Sequence, residues 1–199
     1  MPPLTPADAA SFAATLAESG VAVFPADTVY GLAAKAGDDS AIARLYALKG
    51  RAPAKPAATM WFDPDRALAD LPPLGPRTRA ALERLLPGAV TLLLPDPASP
   101  AQALGVRVPA LSGPLAALRD VPHAVTQSSA NLAGGRDPRA VEEVPQQIRD
   151  NVDLVLDAGP LPGTPSTVVD LRAYERDGTW AIVREGAVAP ATISAALGN

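Results

Sequence analysis

Four basic side chains and no acidic one lie in the segment RLYALKGRAPAKP at residues 44–56. Lys49, Arg51 and Lys55 fall at the end of a predicted helix and on a segment that its prolines keep out of helical conformation. Three cations on a stiffened loop can hold a phosphate chain. A lysine at the end of a helix is also favoured by the helix dipole alone, so Lys49 by itself does not establish a site. The sequence contains neither the P-loop motif GxxxxGK[ST] nor the dinucleotide-binding motif GxGxxG. Any nucleotide would therefore be bound by another type of site.

Hydroxyl and amide side chains gather at the ends of predicted strands. Asp27 and Thr28 follow the strand VAVF, the sequence TQSSANLAGG at 126–135 continues another strand, and Ser166 and Thr167 begin a third. In the 126–135 cluster, hydroxyl groups beside open backbone N–H groups are suited to binding anions and ribose. The same residue types also form ordinary turns without a binding function, so each cluster alone is a weak indication.

Two arginines, Arg107 and Arg184, occur inside strand patterns that are otherwise rich in valine and isoleucine. An arginine on a strand commonly faces solvent or pairs with a carboxylate of the protein. In an apolar strand it can also supply a bidentate clamp for a carboxylate or a phosphate. Both interpretations remain open from the sequence.

Composition excludes several classes of protein. There is no cysteine and only one histidine, His123, so disulfide frameworks, thiolate metal sites and histidine-rich metal sites are excluded. The net charge of −4 gives no overall attraction to nucleic acid. The first residues, MPPLTPADAA, lack a basic segment and do not resemble a signal peptide, and no uncharged stretch is long enough to cross a bilayer. We therefore expect a cytoplasmic protein without membrane contacts.

The elements that carry these residues follow from periodicity, caps and turn residues. The predicted helices cover 5–20, 39–49, 76–86, 112–119 and 190–197, and another opens at Asp137-Pro138. The predicted strands cover 21–24, 57–62, 90–94, 106–108, 123–127, 153–157, 167–171 and 180–184. Because helices and strands are interspersed while three strands cluster late, the pattern predicts one α/β domain over residues 1–199 with a mixed sheet.

Seven short motifs in order give the chain a specific resemblance. FPADTVYGL, LKGRAPAKP, PGAVTLLL, VRVP, SSANLAGG, PSTVVD and IVREGAV span about residues 21–188 and resemble the YrdC/TsaC family of L-threonylcarbamoyladenylate synthases. The resemblance implies a single twisted mixed sheet with flanking helices and a concave basic cavity. It implies a nucleotidyltransferase of the short, single-domain bacterial form.

The implied reaction joins L-threonine, bicarbonate and ATP, with Mg²⁺, into threonylcarbamoyl-AMP and pyrophosphate. The product would pass to a separate transferase complex that forms threonylcarbamoyladenosine at position 37 of tRNA, and no direct binding of tRNA is expected. No side chain of the protein is assigned to the metal.

Site residues carry over only where the motifs match. Lys49 and Arg51 would be catalytic. The resemblance, with the residues around its motifs, assigns to threonine Thr28, Met60, Arg107, Gln127 and Thr167, and to ATP Lys49, Arg51, Lys55, Thr91, Ser129, Asn131, Ser166 and Arg184.

The chain departs from the family pattern at a few positions. Ala26 stands where a threonine is usual, which would remove a hydroxyl next to the threonine site. Ala52, Met60-Trp61 and Gln127-Ser128 also differ from the usual residues. The alternatives to a synthase are an RNA-binding module of the same fold, a related domain that uses another amine or carbamoyl phosphate, and a catalytically altered paralogue.

Overall fold

Helices and strands alternate along the chain in a computed structural model that describes residues 3–50, 57–99 and 102–198. The strands within these residues are β1 (Val21–Pro25), β2 (Tyr30–Lys35), β3 (Ala58–Met60), β4 (Val90–Pro95), β5 (Ala103–Arg107), β6 (Val125–Ser129), β7 (Leu154–Val155), β8 (Thr167–Asp170) and β9 (Ala181–Arg184). The helices are α1 (Pro6–Ala17), α2 (Asp39–Leu48), α3 (Pro64–Asp70), α4 (Pro76–Leu85), α5 (Gln146–Arg149), α6 (Tyr174–Asp177) and α7 (Pro190–Leu197). Short 3-10 helices cover Gly113–Asp120 and Val141–Glu143.

One mixed sheet contains all nine strands of the described residues, in the order β7-β1-β2-β6-β3-β5-β4-β8-β9. The pairs β7–β1, β3–β5 and β4–β8 are parallel, and the remaining neighbours are antiparallel. The α/β fold with a mixed sheet is therefore confirmed. None of the helices in the described ranges has the length and apolar character needed to span a bilayer.

The helix starts are confirmed where the sequence places a capping residue before a proline or a polar turn. Thr5 and Asp8 form a reciprocal capping box at the start of α1, and Pro6 occupies the first turn. Asp38 accepts a hydrogen bond from the Ala41 N–H at the start of α2, which the sequence predicts. Helix α3 is absent from the sequence-based assignment, and Asp63 caps its start by accepting from the Arg66 N–H.

In the half of the sheet that runs from β3 to β9, the strands have an apolar face and a polar face. Val106 and Val108 lie in an apolar core with α3, α4, α6 and α7, whereas Arg107 between them faces the opposite side. The same alternation on β4 buries Leu92 and turns Thr91 away from that core. A period of two on a half-buried sheet therefore presents polar side chains together on one face.

The other half of the sheet, which contains β1 and β2, is buried on both faces. β1 and β2 are buried over nearly their whole length, against α1 and α2. Three phenylalanine rings form the centre of this second core, with Phe12 and Phe24 stacked at 5.2 Å and Phe62 edge-on to both. The close packing of this core keeps the adjoining end of the polar face rigid.

Strand β2 is absent from the sequence-based assignment, because YGLAAK combines glycine and alanine instead of β-branched residues. The structure explains the glycine. A Cβ on Gly31 would lie 2.6 Å from Nε2 of Gln127 and 3.1 Å from the ring of Phe24. Close approach of these two side chains from neighbouring strands requires a residue without a Cβ.

The predicted helix opening at Asp137-Pro138 is wrong. The Pro138 carbonyl accepts a hydrogen bond from the Tyr30 N–H (2.8 Å), and the Arg139 carbonyl accepts one from the Leu161 N–H (2.7 Å). These hydrogen bonds to residues distant in the sequence hold the segment outside helical geometry. Only a 3-10 turn forms nearby, at Val141–Glu143. The predicted strand at 57–62 is also shorter than expected, and α3, beginning at the cap Asp63, follows it directly.

The Tyr30 hydroxyl fastens the segment between β7 and β8 to the sheet. It accepts a hydrogen bond from the Ala158 N–H (3.0 Å) and lies 2.8 Å from the Gly159 carbonyl and 3.1 Å from Asp157 Oδ1. Burial raises the pKa of this phenol, so it stays protonated and able to donate. The segment leads on to Pro165 and Ser166, which line the polar face.

Replacing Tyr30 by phenylalanine is expected to lower the free energy of unfolding by about 1–3 kcal/mol, because buried partners are left unpaired. Urea unfolding measures the loss, and hydrogen exchange at the Ala158 N–H should accelerate more than elsewhere. Tyr174→Phe is the matched control, since that hydroxyl donates to the Leu197 carbonyl (2.6 Å) in the other core. Equal acceleration at Ala158 in both variants would contradict this assignment.

Candidate functional site

The polar face of the sheet forms one side of an open cavity of about 490 Å³. Its floor consists of small residues, including Ala57, Ala58 and Gly105, and its sides carry hydroxyl, amide and guanidinium groups. This volume lies within the range of small-molecule sites in proteins. Of the predicted site residues, the cavity lining includes Thr91, Arg107, Gln127, Ser129, Ser166 and Arg184.

Arg107 is held at the side of this cavity by a buried ion pair. One terminal nitrogen of its guanidinium contacts Asp27 Oδ1 and also donates to the Thr28 hydroxyl (2.7 Å). The second oxygen of Asp27 accepts from the Ala110 N–H (3.0 Å), which joins the β1–β2 turn to the end of β5. Nε of Arg107 is buried without a hydrogen-bond partner in the described part of the chain. The guanidinium lines the cavity in a fixed orientation, which is suited to binding an anion.

A second group of polar side chains lies at the other side of the cavity, where it connects β4, the start of β8 and β9. Thr91 and Ser166 share a hydrogen bond between their hydroxyls (2.8 Å), and Arg184 donates to the Ser166 carbonyl (2.8 Å). Burial is the main cause that lowers the pKa of the Arg184 guanidinium; Asp137 opposes this shift, and the charge of Arg107 adds to it. Arg184 still carries its charge at neutral pH. Two guanidinium groups therefore line the same cavity.

Lys49 binds the protein's own SSAN turn. Its Nζ donates to the Asn131 carbonyl (2.8 Å), to Asn131 Oδ1 (2.7 Å) and to the Ser129 carbonyl. Ser129 Oγ donates to the same Asn131 oxygen (2.8 Å). An ammonium group has three donors, and the side chain is 3% exposed. The predicted contact of Lys49 with phosphate stays a prediction; in this structure the lysine binds the SSAN turn and positions Ser129, which lines the cavity.

Two acidic residues of this site are not among the predicted site residues. Asp27 is a polar group at a strand end that could equally be a turn residue, and Asp137 is predicted only to open a helix. Asp137 is the one acidic side chain lining the cavity among the described residues, and it accepts from Asn131 Nδ2 (3.2 Å). A signal for Asp27 was available, since a buried arginine on a valine strand requires a carboxylate partner.

Two residues that were predicted to contact threonine lie elsewhere. Met60 is fully buried in the core that contains the three phenylalanines. Thr167 is also fully buried, and its hydroxyl donates to the Val188 carbonyl (2.7 Å) and accepts from the Val188 N–H (3.0 Å). The predicted contacts are therefore corrected to packing for Met60 and to a link between β8 and the C-terminal segment for Thr167.

The remaining expectations have different outcomes. Ala26 is fully buried in the same core as Met60, so the missing hydroxyl at this position changes packing and not the cavity wall. Thr28 is also buried and reaches the site through Arg107. Arg51, Ala52 and Lys55 lie outside the described residues, and their predicted roles remain predictions.

The arrangement favours chemistry by binding and charge stabilisation. Cations and hydroxyls converge on one cavity, and residues 3–50, 57–99 and 102–198 contain no group of three or more His, Cys, Asp or Glu side chains placed to hold a metal ion. Such a cavity can bind an extended anion and stabilise charge that builds up on it.

Comparisons with known proteins agree with this geometry. The Sua5/YciO/YrdC family model, whose description reads "Telomere recombination", matches residues 14–186. The chain is 32% identical to "Threonylcarbamoyl-AMP synthase" of Bacillus subtilis over 95% of its own length and 56% of that protein. It is 34% identical to "Threonylcarbamoyl-AMP synthase" of Mus musculus over 91% of its own length and 68% of that protein.

A solved structure shares the fold. P. abyssi Sua5, described as complexed with L-threonine, superposes with a TM-score of 0.85 at 24% identity and covers 98% of this chain. The chain spans 58% of that protein, so part of the archaeal protein has no counterpart in it. Because the family model covers most of the residues and relatives above 30% identity cover nine-tenths of them, the chain belongs to the Sua5/YciO/YrdC family.

Proposed function

We propose that the chain synthesises L-threonylcarbamoyl-AMP from L-threonine, bicarbonate and ATP, with release of pyrophosphate. The relatives named for this activity support the proposal, although the chain spans only 56% of the B. subtilis protein. The observation that carries it is a pair of guanidinium groups, the buried Arg107 and the more exposed Arg184, that line one cavity together with hydroxyl groups. All three substrates are anions or contain a carboxylate, and such a cavity is complementary to them.

The proposed chemistry needs no protein nucleophile. The threonine amine loses a proton and attacks the carbon of CO₂ or bicarbonate, which gives a carbamate; with bicarbonate, water leaves. A carbamate oxygen then attacks the α-phosphorus of ATP, and the bond to the β-phosphate oxygen breaks with departure of pyrophosphate. Negative charge accumulates in both steps, so positioning and fixed positive charge supply the catalysis.

Individual residues have distinct tasks in this proposal. Arg107 holds the threonine carboxylate, with Asp27 and Thr28 fixing the guanidinium. Ser129, oriented by Asn131 and Lys49, contacts the nucleotide phosphates, and the cluster of Thr91, Ser166 and Arg184 lines the rest of the nucleotide path.

Magnesium enters this proposal as part of the MgATP substrate. Asp137 is a single carboxylate at the cavity, and Mg²⁺ is commonly bound by one or two carboxylates together with substrate phosphates, so the residues fit a metal carried by ATP. When bound, the ion neutralises phosphate charge. Transfer of the product to a tRNA-modifying complex and a cytoplasmic location remain proposals of the same kind.

The test is pyrophosphate release by the purified chain with MgATP, L-threonine and bicarbonate, and with each of the last two left out in turn. We expect release only when both are present, and threonylcarbamoyl-AMP detectable by mass spectrometry. Absence of release from folded protein that binds ATP would refute the synthase.

The same preparation distinguishes the RNA-binding alternative. If the cavity bound tRNA instead of ATP, the affinity of the protein for tRNA would fall steeply with salt. The slope of log K against log salt concentration would be about −0.7 to −0.9 for each phosphate neutralised. We expect no such salt-dependent complex, because the acidic chain provides no general attraction for RNA.

A further inference from the structure

Asp137 places a carboxylate among groups that attract anions. Its side chain lines the cavity together with Ser129 and Arg184. Oδ1 accepts one hydrogen bond, from Asn131 Nδ2 (3.2 Å), and no other hydrogen bond to the carboxylate is found among the described residues. A carboxylate repels phosphate, because the two groups carry charge of the same sign. Asp137 therefore opposes the binding of ATP unless a cation lies between them.

The backbone keeps this carboxylate in place. The Pro138 carbonyl accepts a hydrogen bond from the Tyr30 N–H (2.8 Å), and the Arg139 N–H donates to Glu143 Oε2 (2.9 Å). Pro138 is buried, and its ring restricts the backbone at that position. Asp137 therefore cannot move out of the cavity without breaking these contacts when phosphate enters.

Positive charge at the cavity is largely balanced within the protein. Asp27 pairs with Arg107, and Lys49 directs its ammonium group to the SSAN turn. Burial lowers the pKa of Arg184, and the charge of Asp137 opposes this shift. A nucleoside triphosphate carries more negative charge than these described groups leave uncompensated. A divalent cation bound together with the phosphates would improve the balance.

The oxygen ligands at the cavity fit an ion that enters with the nucleotide. Mg²⁺ keeps several waters and is usually held by one or two carboxylates together with substrate phosphates. One carboxylate and several hydroxyl groups line the cavity, and the described residues contain no group of three or more His, Cys, Asp or Glu side chains that would hold the ion alone. We therefore expect the ion and the nucleotide to bind together.

We propose that Asp137 ligates the Mg²⁺ of MgATP and thereby selects the metal-bound triphosphate against the metal-free one. This inference rests on the nucleotide part of the proposed function and adds a residue that discriminates between two forms of one substrate. The contribution of Asp137 changes sign with the ion, because the carboxylate binds the metal complex and repels bare ATP. A residue that only supports the loop would affect both forms alike.

The test measures ATP binding by calorimetry without threonine and bicarbonate, once with Mg²⁺ and once with EDTA. We expect Asp137→Asn to weaken the binding of MgATP by about 10- to 100-fold, the loss typical when a group that supports a metal is removed. The same variant should bind metal-free ATP about threefold or more tightly, because a like charge is gone. The amide keeps an acceptor for Asn131. Asp150→Asn, at an exposed position after α5, is the matched control and should change neither affinity.

A thiol at the same position tests ligation directly. The chain contains no cysteine, so Asp137→Cys introduces a single thiol. Thiolates prefer soft ions, whereas Mg²⁺ prefers oxygen. We expect this variant to bind the Cd²⁺ complex of ATP more tightly than MgATP, with a thiolate–Cd²⁺ absorption band that requires ATP. Absence of both the preference and the band would overturn ligation at this position.

Pyrophosphate release separates this inference from the proposed function. Opposite shifts for the two forms of ATP, in a protein that releases no pyrophosphate, would refute the synthase and retain the metal ligand. Equal shifts for both forms in Asp137→Asn would overturn the selectivity and leave a structural role. Weaker binding of metal-free ATP in that variant would overturn it as well, because the carboxylate would then accept a hydrogen bond from the nucleotide.

Discussion

Replacing Lys49 by methionine is expected to reduce threonine-dependent pyrophosphate release by about 10²- to 10³-fold, the loss seen when one oriented donor group is removed from an active site. The methionine keeps the length of the buried stem but leaves the acceptors on Ser129 and Asn131 without their donor. The SSAN turn then loses its fixed geometry. The effect should appear as a raised KM for ATP together with a lowered kcat.

Threonine binding distinguishes this positioning role from general loss of structure. By calorimetry the affinity of the Lys49→Met variant for threonine should stay within about threefold of the wild type, because Arg107 is held by Asp27 and Thr28 and not by the SSAN turn. Unpaired buried acceptors should still lower stability by about 1–3 kcal/mol. Lys35→Met, at a lysine outside the cavity, is the matched control. An unchanged KM for ATP in Lys49→Met would contradict the positioning role.

Local patterns in the sequence predict most elements of this fold. The cap-and-proline start of α1, the proline at the start of α7 and the alternation of Val106, Arg107 and Val108 depend only on neighbouring residues, and the structure confirms them. β2 could not be predicted in this way, because glycine and alanine are poor strand formers. The strand exists because β1 and β6 pair on both sides of it.

The sequence allows the types of the site residues to be predicted, but not which of them contact one another. Arg107 and Arg184 could be recognised as candidates because a cation in an apolar strand is unusual. Their partners lie 80 and 18 residues away in the sequence, at Asp27 and Ser166, and no local pattern links them. Lys49 shows the consequence: a basic residue at a helix end predicts a phosphate ligand, yet the three-dimensional fold gives its donors to the turn beyond β6.

The two arginines of the cavity differ in how they are held. Arg107 is compensated by a carboxylate and a hydroxyl, so its orientation is fixed before any ligand binds. Arg184 donates only to Ser166 among the described residues, and burial lowers its pKa. An arginine with few compensating charges gains most from an incoming phosphate. Selectivity for the amino acid therefore depends on the rigid end of the cavity, and attraction for the nucleotide depends on the other end.

Replacing Arg107 by methionine is expected to lower the free energy of unfolding by about 3–5 kcal/mol, because it leaves the Asp27 carboxylate buried without its counter-charge. Both side chains of this pair are less than 10% exposed. Urea unfolding measures the change. Arg44→Met breaks a matched pair with Asp153 whose side chains are 43% and 41% exposed, and it should cost only about 0–1 kcal/mol.

The double variant Asp27→Asn/Arg107→Met separates stability from substrate binding. With both charges removed, most of the lost stability should return, since a neutral pair no longer buries an isolated charge. Threonine affinity should not return, and calorimetry should show it at least about 100-fold weaker, as expected when a charged hydrogen-bonding partner is lost from a buried site. A double variant that binds threonine as tightly as the wild type would leave Arg107 with a structural role alone. Weak binding in a protein of restored stability would mean that the guanidinium itself holds the substrate carboxylate.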